Sequence, residues 1–409
     1  MTNKMKTYKI SDIAKVNSGG TPSTKEKEYW DSNDVFWLSS GEVNNNSIKK
    51  TNKFISYKGL KKSSAKMLPK NSILVALAGQ GKTRGRVAIT DVELSTNQSV
   101  GAITITKFEI AFPNYIFFNL RNRYVELRIL SGGEFGRGGL TVKQLSNLDI
   151  NLPSIEEQKR IADVLSKQES IINKTKDLIE QLDKRNTFMQ DELLSGRLRI
   201  KEEDGQVEFY KNPDDNWQTV LMNNIDYIIP LDWDILSLEH SDCSMGETIL
   251  KSNILTDGEY PVYSATESDK IFGYINNPKK ILEIGDLIIS ARGTIGYVKI
   301  AKQKCTSTQT TIQLKVNEIT PIYLSTVLNN KRADFFPISG GAVPQITISQ
   351  VKSIKISKPK QEKEIFNITN IIEKLNDEKE KYEELLIEEQ KKFDFLLEEL
   401  MSGRLRIEE

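Results

Sequence analysis

Leu193-Leu194-Ser195-Gly196-Arg197-Leu198-Arg199-Ile200 recurs as Leu400-Met401-Ser402-Gly403-Arg404-Leu405-Arg406-Ile407, 207 residues further along the chain. Seven of the eight positions are identical, Leu194/Met401 being the exception. Ser-Gly-Gly at 131–133 recurs at 339–341, Leu140-Thr141-Val142-Lys143-Gln144-Leu145 matches Ile346-Thr347-Ile348-Ser349-Gln350-Val351, and Pro153 matches Pro359. Chance does not repeat blocks in the same order. The 409 residues therefore form two tandem halves of about 205 residues, each a variable globular part followed by a more similar tail.

Each tail reads as one long helix. No Gly or Pro interrupts residues 155–193. A 4-3 spacing there picks out Ile161, Leu165, Gln168, Ile172, Thr175, Ile179, Leu182, Asn186, Met189 and Leu193. The same register in the second tail gives Ile368, Ile372, Leu375, Lys379, Tyr382, Leu386, Glu389, Phe393, Leu396 and Leu400. Seven and eight of the ten are apolar, which makes two heptad seams. Two matched seams in one chain are expected to pair with each other. The glycines of Ser195-Gly196 and Ser402-Gly403 stand where a helix would end.

Reach gives the direction of pairing. A helix of about 39 residues is about 58 Å long. The acidic stretch 201–215 (KEEDGQVEFYKNPDD), read as a linker, covers at most about 50 Å when extended. Antiparallel helices need only a short connection; parallel ones need a return along the whole length. The expected architecture is α+β: two strand-rich domains separated by two long antiparallel helices, with pseudo-two-fold symmetry. The expected boundaries are 1–152 for the first domain, 153–200 for its helical spacer, 201–215 for the linker, 216–358 for the second domain and 359–409 for its spacer.

The globular parts carry corresponding strand–loop–strand units. Residues 72–77 and 86–90 flank the glycine-rich loop 79–85; residues 286–290 and 297–300 flank Ala291–Gly296. Shorter helices are expected at 114–130 and 321–334. Net charge near zero hides a split. Residues 1–150 carry 23 Lys and Arg against 12 Asp and Glu, whereas residues 216–357 hold 13 against 14. A globular part at +11 invites a polyanion, nucleic acid being the commonest.

Much chemistry is excluded by what the chain lacks. It has one His, His240, and two Cys, Cys243 and Cys305. That disfavours Ser-His-Asp catalysis, multi-histidine or cysteine metal sites and a disulfide framework; His240 reads as an ordinary surface or core residue. Its first residues, MTNKMKTYKISDIAK, hold no apolar signal region, and no run of 18 apolar residues offers a membrane helix. A cytoplasmic, non-catalytic chain without metal is expected. Asn212-Pro213-Asp214-Asp215 and Asn277-Pro278-Lys279-Lys280 lack the second Pro and the aromatic that an adenine methyltransferase tetrapeptide needs.

Ala76-Leu77-Ala78-Gly79-Gln80-Gly81-Lys82-Thr83 satisfies a relaxed phosphate-loop pattern. A phosphate loop must open a helix, and here Arg84-Gly85-Arg86 and a strand-like run follow. A basic loop that approaches DNA, or a plain hairpin turn, fits better. Ser95-Thr96-Asn97-Gln98 and Ser307-Thr308-Gln309 recur in the two halves. Asn and Gln can read adenine, although turn chemistry is their commoner use. Candidate nucleic-acid contacts are thus Lys82, Thr83, Arg84, Arg86, Asn97, Gln98 and Arg137 in the first half, and Arg292, Thr294, Gln309 and Gln345 in the second.

Val16-Asn17-Ser18-Gly19-Gly20-Thr21-Pro22-Ser23, then Tyr29-Trp30 and Phe36-Trp37-Leu38, resembles the start of a target-recognition domain of the DNA specificity subunits of type I restriction–modification systems. So does Asp257-Gly258-Glu259-Tyr260-Pro261-Val262-Tyr263. Leu152-Pro153, Glu157-Gln158 and Ile161, followed by the SGRLRI block, resemble the spacer regions of that family; the second copy has Gln361-Glu362 where the first has Glu157-Gln158, with a one-residue shift. The resemblance covers essentially the whole chain. It implies that each domain reads one half of a split, asymmetric site on double-stranded DNA and that the helices fix the gap. It also implies that two methyltransferase subunits dock on the chain, joined by endonuclease/translocase subunits. S-adenosylmethionine, ATP and Mg belong to those partners, and no cofactor to this chain. A related system with methyltransferase and nuclease fused in one polypeptide, or a solitary specificity subunit, is the alternative.

Overall fold

The computed structural model describes residues 5–407 apart from 45, 80, 133–137, 204–205, 223–224, 268–269, 318 and 337–344. The chain divides into two compact units, residues 1–176 with 385–409, and residues 177–384. Two long helices, Ile155–Leu194 and Glu362–Ser402, each contribute one part to each unit. The division runs inside the helices.

In the first unit a five-stranded sheet has the order Ala14–Ser18, Val100–Ile105, Ile73–Ala76, Val87–Thr90, Ser47–Ile48. All pairs are antiparallel except the last. Ile73–Ala76 and Val87–Thr90 are buried at every position, and all but Thr90 of these residues are apolar, because both faces are covered. Ile73, Val75, Val87 and Ile89 join Tyr115, Phe117 and Phe118 in one core. The alternate residues Leu74, Ala76 and Ala88 join Leu38, Val43, Leu68 and Leu94 in another, as the two-residue period of a strand requires. The helix Pro113–Asn122 starts on proline, whose fixed φ and missing N–H suit a first turn. A second, three-stranded sheet has the order Lys53–Ile55, Val35–Leu38, Ser95–Thr96, the last pair parallel.

The second unit repeats this plan. Its four-stranded antiparallel sheet has the order Cys243–Met245, Thr311–Leu314, Leu287–Ser290, Val298–Ile300. Its three-stranded sheet has the order Gly273–Ile275, Tyr260–Tyr263, Thr306–Ser307, again ending in a parallel pair. Helix Pro321–Asn330 starts on proline as its counterpart does. Thr141 and Thr347 cap equivalent short helices through matching boxes with Gln144 and Gln350.

The acidic stretch 201–215 is a correction to the sequence reading. Leu198–Glu203 and Gln206–Lys211 pair as an antiparallel hairpin, and Trp217–Met222 pairs with Ile225–Pro230 in a second one. Lys201 and Glu208 face each other across the first hairpin, 3.2 Å apart. Opposite charges at facing positions support strand pairing, so a charged run that reads as a linker folds.

Both long helices are packed within each unit, and in each they run antiparallel. In the first unit Glu157 lies 3.2 Å from Arg406, and Gln168, farther along, donates to the carbonyl of Glu389 at 3.3 Å and to its carboxylate. In the second, Asp183 meets Lys379 at 2.5 Å and Gln190 meets Asn376 at 3.4 Å. Ile161, Leu165, Ile172, Phe393 and Leu400 are buried in the first unit, with Leu386 and Leu396 half-buried. Leu182, Leu193, Ile368 and Ile372 are buried in the second, with Ile179, Met189, Leu375 and Tyr382 half-buried. The polar heptad members Gln168, Thr175 and Asn186 are buried too. Asn186 donates to the carbonyl of Leu375 at 2.8 Å, and Thr175 to that of Ile171 at 3.0 Å.

Gly196 and Gly403 both stand at φ +74°, and each N–H reaches back to the carbonyl of the third residue before it. They terminate the two helices in the left-handed conformation that glycine adopts without strain.

Candidate nucleic-acid interface

The loop between the strands Ile73–Ala76 and Val87–Thr90 is a hairpin turn. Arg86 N–H donates to Thr83 O at 3.0 Å, and Ala76 and Gly85–Arg86 exchange bonds at 2.9 Å. A strand follows it, so no helix end is available to hold a nucleotide phosphate. The loop is pinned to the helix Tyr124–Leu130: Tyr124 OH donates to Lys82 O at 2.9 Å and Arg128 to Gly81 O at 2.7 Å. Lys82 is exposed, while Thr83 and Arg86 are half-buried. Arg84 differs from the expectation that it faces a phosphate. It is buried, and its guanidinium donates to the carbonyl of Gly138. An arginine closed in this way braces the loop.

The equivalent loop of the second unit is held in the same manner, by Arg332 donating to Ile295 O at 2.5 Å. Arg292 and Gln345 are exposed and joined, Nε to Oε1 at 2.8 Å, so the structure brings these two candidates together. Thr294 is half-buried, its backbone carbonyl accepting from Tyr297 at 3.2 Å. Arg137 and the Ser-Gly-Gly repeat beyond residue 132 lie outside the described residues.

Asn97 closes a turn: its backbone N–H donates to Leu38 O at 3.0 Å and its side-chain oxygen accepts from Ser99 N at 3.1 Å. Gln98 is exposed and accepts from the hydroxyl of Thr21 at 2.6 Å. In the second unit Gln309 accepts from Thr248 at 2.7 Å. Thr21 and Thr248 were not singled out in the sequence; the signal was there, as Gly-Gly-Thr and Gly-Glu-Thr at equivalent places.

The Glu157-Gln158 reading is also refined. Glu364, not Gln361 or Glu362, takes the place of Glu157: Glu364 pairs with Arg199 at 2.7 Å as Glu157 pairs with Arg406. Gln158 accepts from Phe112 N at 2.9 Å and donates to Ile110 O and Pro153 O, tying the first long helix to its domain.

Among the described residues, no group of three or more His, Cys, Asp or Glu side chains is placed to hold a metal ion. Among the described residues, no helix is long and apolar enough to cross a membrane. Burial pushes the Cys305 thiol up to about 12 and raises that of Cys243, which is the reverse of what a nucleophilic cysteine needs.

The arrangement defines a duplicated protein, two β-rich regions of one plan joined to a pair of packed helices. A model of the type I restriction modification DNA specificity domain matches residues 2–184 and 232–388, and the chain belongs to that family. It is 31% identical over 241 residues to the type I restriction enzyme MjaIX specificity subunit of Methanocaldococcus jannaschii, covering 56% of this chain and 50% of that protein. It is 26% identical over 168 residues to the EcoR124I/EcoR124II specificity subunit of Escherichia coli, covering 40% and 41%. The matches thus span half or less of these relatives. The fold is that of the type I restriction–modification S subunit from M. genitalium, at a TM-score of 0.62 and 16% identity over 98% of this chain and 97% of that one. A chain from a structure of complex assembly and conformational transition in the type I R-M system superposes at a TM-score of 0.55 with 15% identity, over 98% of each.

Proposed function

We propose that the chain is the non-catalytic specificity subunit of a cytoplasmic type I restriction–modification complex. Each β-rich region reads one half of a bipartite, asymmetric site on double-stranded DNA. The paired helices set the gap between the halves and dock two methyltransferase subunits, which endonuclease/translocase subunits join. S-adenosylmethionine, ATP and Mg serve those partners. The observation that carries the reading is the repeated sheet order of the two units, matched by one family model on both sides of the centre. The charge difference between the domains supports unlike half-sites. Lys82 and Arg86 are the basic candidates for phosphates in the first domain, with Arg292 and Gln345 as a joined pair in the second. Mapping methylated adenines in host DNA with and without the gene tests the reading. One bipartite motif is expected to disappear. Exchange of residues 1–152 for the first domain of another such subunit is expected to alter one half of that motif and leave the other. If both halves changed together, modular reading would be wrong.

A further inference from the structure

Two groups of side chains, one in each unit, occupy equivalent positions although the domains otherwise differ in sequence and charge. In the first, the turn Gly19-Gly20-Thr21 leaves the strand Ala14–Ser18, and Gly20 N–H donates to Thr96 O at 2.8 Å. In the second, Gly246-Glu247-Thr248 leaves Cys243–Met245, and Glu247 N–H donates to Ser307 O at 2.7 Å. A Cβ on Gly19 would lie 2.1 Å from Thr96 O, and one on Gly246 2.2 Å from Thr308 O, so both turns lie hard against the neighbouring segment. That contact sets Thr21 beside Gln98 and Thr248 beside Gln309.

A lysine stands at each group. Lys66 precedes Leu68, which bridges to Leu94; Lys280 precedes Leu282, which bridges to Cys305. Each leucine lies five residues before the start of a sheet strand, Ile73 or Leu287, so the two lysines are equivalent. Lys66 reaches the Asn17 side chain at 3.5 Å and Lys280 the Met245 carbonyl at 2.6 Å, both on the strand that leads into the turn. Lys66, Gln98, Lys280 and Gln309 are all exposed.

The chemistry presented is rich in donors. Each threonine hydroxyl takes one lone pair of the glutamine's oxygen and turns the amide NH2 outward as a donor, while the lysine on the strand that leads into the turn carries an ammonium that can only donate. The carboxylate of Glu247 is turned inward, accepting from Lys280 N at 2.7 Å and Thr306 Oγ1 at 3.0 Å. Bidentate adenine reading needs a glutamine to offer both donor and acceptor. A surface whose charged group is an ammonium and whose free amide group is a donor complements an oxyanion. Whatever two recognition domains share cannot tell unlike half-sites apart. We infer that Thr21, Lys66 and Gln98, and likewise Thr248, Lys280 and Gln309, form a duplicated seat for a DNA phosphodiester that positions each domain on its half-site irrespective of base sequence. This rests on the DNA-recognition reading above.

The test uses the full chain and two duplexes: one carries the motif whose methylation depends on the gene, the other the same bases scrambled. Binding is measured against salt for K66A, K280A, Q98E and Q309E; the glutamate keeps an acceptor for the threonine while replacing the donors with a charge. Each substitution is expected to weaken binding by about threefold to tenfold on both duplexes alike. The lysine variants should also lower the salt slope by about 0.9, and the methylated motif should stay the same. Unaltered affinity in all four would overturn the seat. So would loss on the motif duplex alone, with relaxed preference at one base, since that is base reading. Should a glutamate variant misfold, the exposed lysine substitutions still decide. Failure of the unaltered chain to prefer the motif duplex would instead remove the DNA reading itself.

Discussion

Arg199 and Glu364 form a buried, doubly bonded ion pair, Nε to Oε1 at 2.7 Å and Nη2 to Oε2 at 2.9 Å, joining the end of one tail to the start of the other. Arg199 also holds Asp232 at 3.0 and 2.7 Å. The repeat places Arg406 against Glu157 in the same way, 3.2 Å apart. The second arginine of the SGRLRI block is therefore structural in both copies. The first, Arg197 or Arg404, pairs with acidic residues on the last turn of its own helix, Asp191 and Glu192 or Glu398 and Glu399.

Arg199→Ala leaves the Glu364 carboxylate buried without its counter-ion, and removing one partner of such a pair costs about 3–5 kcal/mol. Arg197→Ala breaks half-exposed pairs and is expected to cost under about 1 kcal/mol. Thermal unfolding separates them: a small loss for Arg199→Ala would contradict the burial. The Arg199 guanidinium holds the Asp232 carboxyl below the usual carboxylate range. A depressed folded value means this stabilisation is present above the ordinary aspartate pKa and lost as pH falls through the folded one. Arg199→Ala should correspondingly flatten the acid limb of the stability profile.

How legible this was follows from the forces involved. The helical seam could be read because burial on a helix repeats every 3.5 residues, and polar Gln168 and Asn186 fell on the same period as the leucines. The sheets could be read from the apolar runs at 73–76 and 287–290. Arg199 and Glu364 could not, since a charge paired across 165 residues looks in sequence like any surface charge. The direction of Arg84 could not be read for the same reason: nothing local says whether an arginine in a glycine-rich loop faces outward or back to Gly138. The hairpin at 198–211 was hidden because its strands are charged and mostly exposed, so no alternation of core residues marks it.

The two helix-ending glycines give a graded prediction. Alanine at φ +74° is strained by about 1–2 kcal/mol at either site. At Gly196 the new Cβ would also lie 2.4 Å from Pro230 Cγ, a ring that cannot turn away; at Gly403 it would meet only the flexible tip of Met5 at 2.7 Å. Gly196→Ala should be the more destabilising by about 1 kcal/mol or more. Denaturant midpoints with unchanged slopes check this, and equal losses would rule out the steric difference.

In the glycine-rich loop, Lys82 and Arg84 should separate by observable. Lys82→Ala removes an exposed charge and is expected to lower the salt slope of DNA binding by about 0.9 with little change in melting temperature. Arg84→Ala strips the buried brace to Gly138 and should destabilise the first unit by about 1–3 kcal/mol. Should Arg84→Ala leave stability intact and reduce the salt slope instead, its side chain would have to leave the loop interior to reach DNA.

The polar seam residues should matter more for register than for stability. Asn186 is buried and, in the observed register, donates to Leu375 O at 2.8 Å. A buried asparagine in a heptad seam costs stability and specifies alignment, so Asn186→Leu is expected to raise the unfolding midpoint or leave it unchanged. Alignment can be read by disulfide trapping with Cys243 and Cys305 replaced by serine. Asp183→Cys with Lys379→Cys reports the native register, in which the two side chains meet at 2.5 Å. Asp183→Cys with Glu383→Cys reports a slip of one helical turn. With Asn186 present, only the first pair should oxidise readily. With leucine there, the second pair should begin to cross-link under the same conditions. If it stays reduced while the first oxidises as before, the asparagine is dispensable for register and the apolar members of the seam fix it alone.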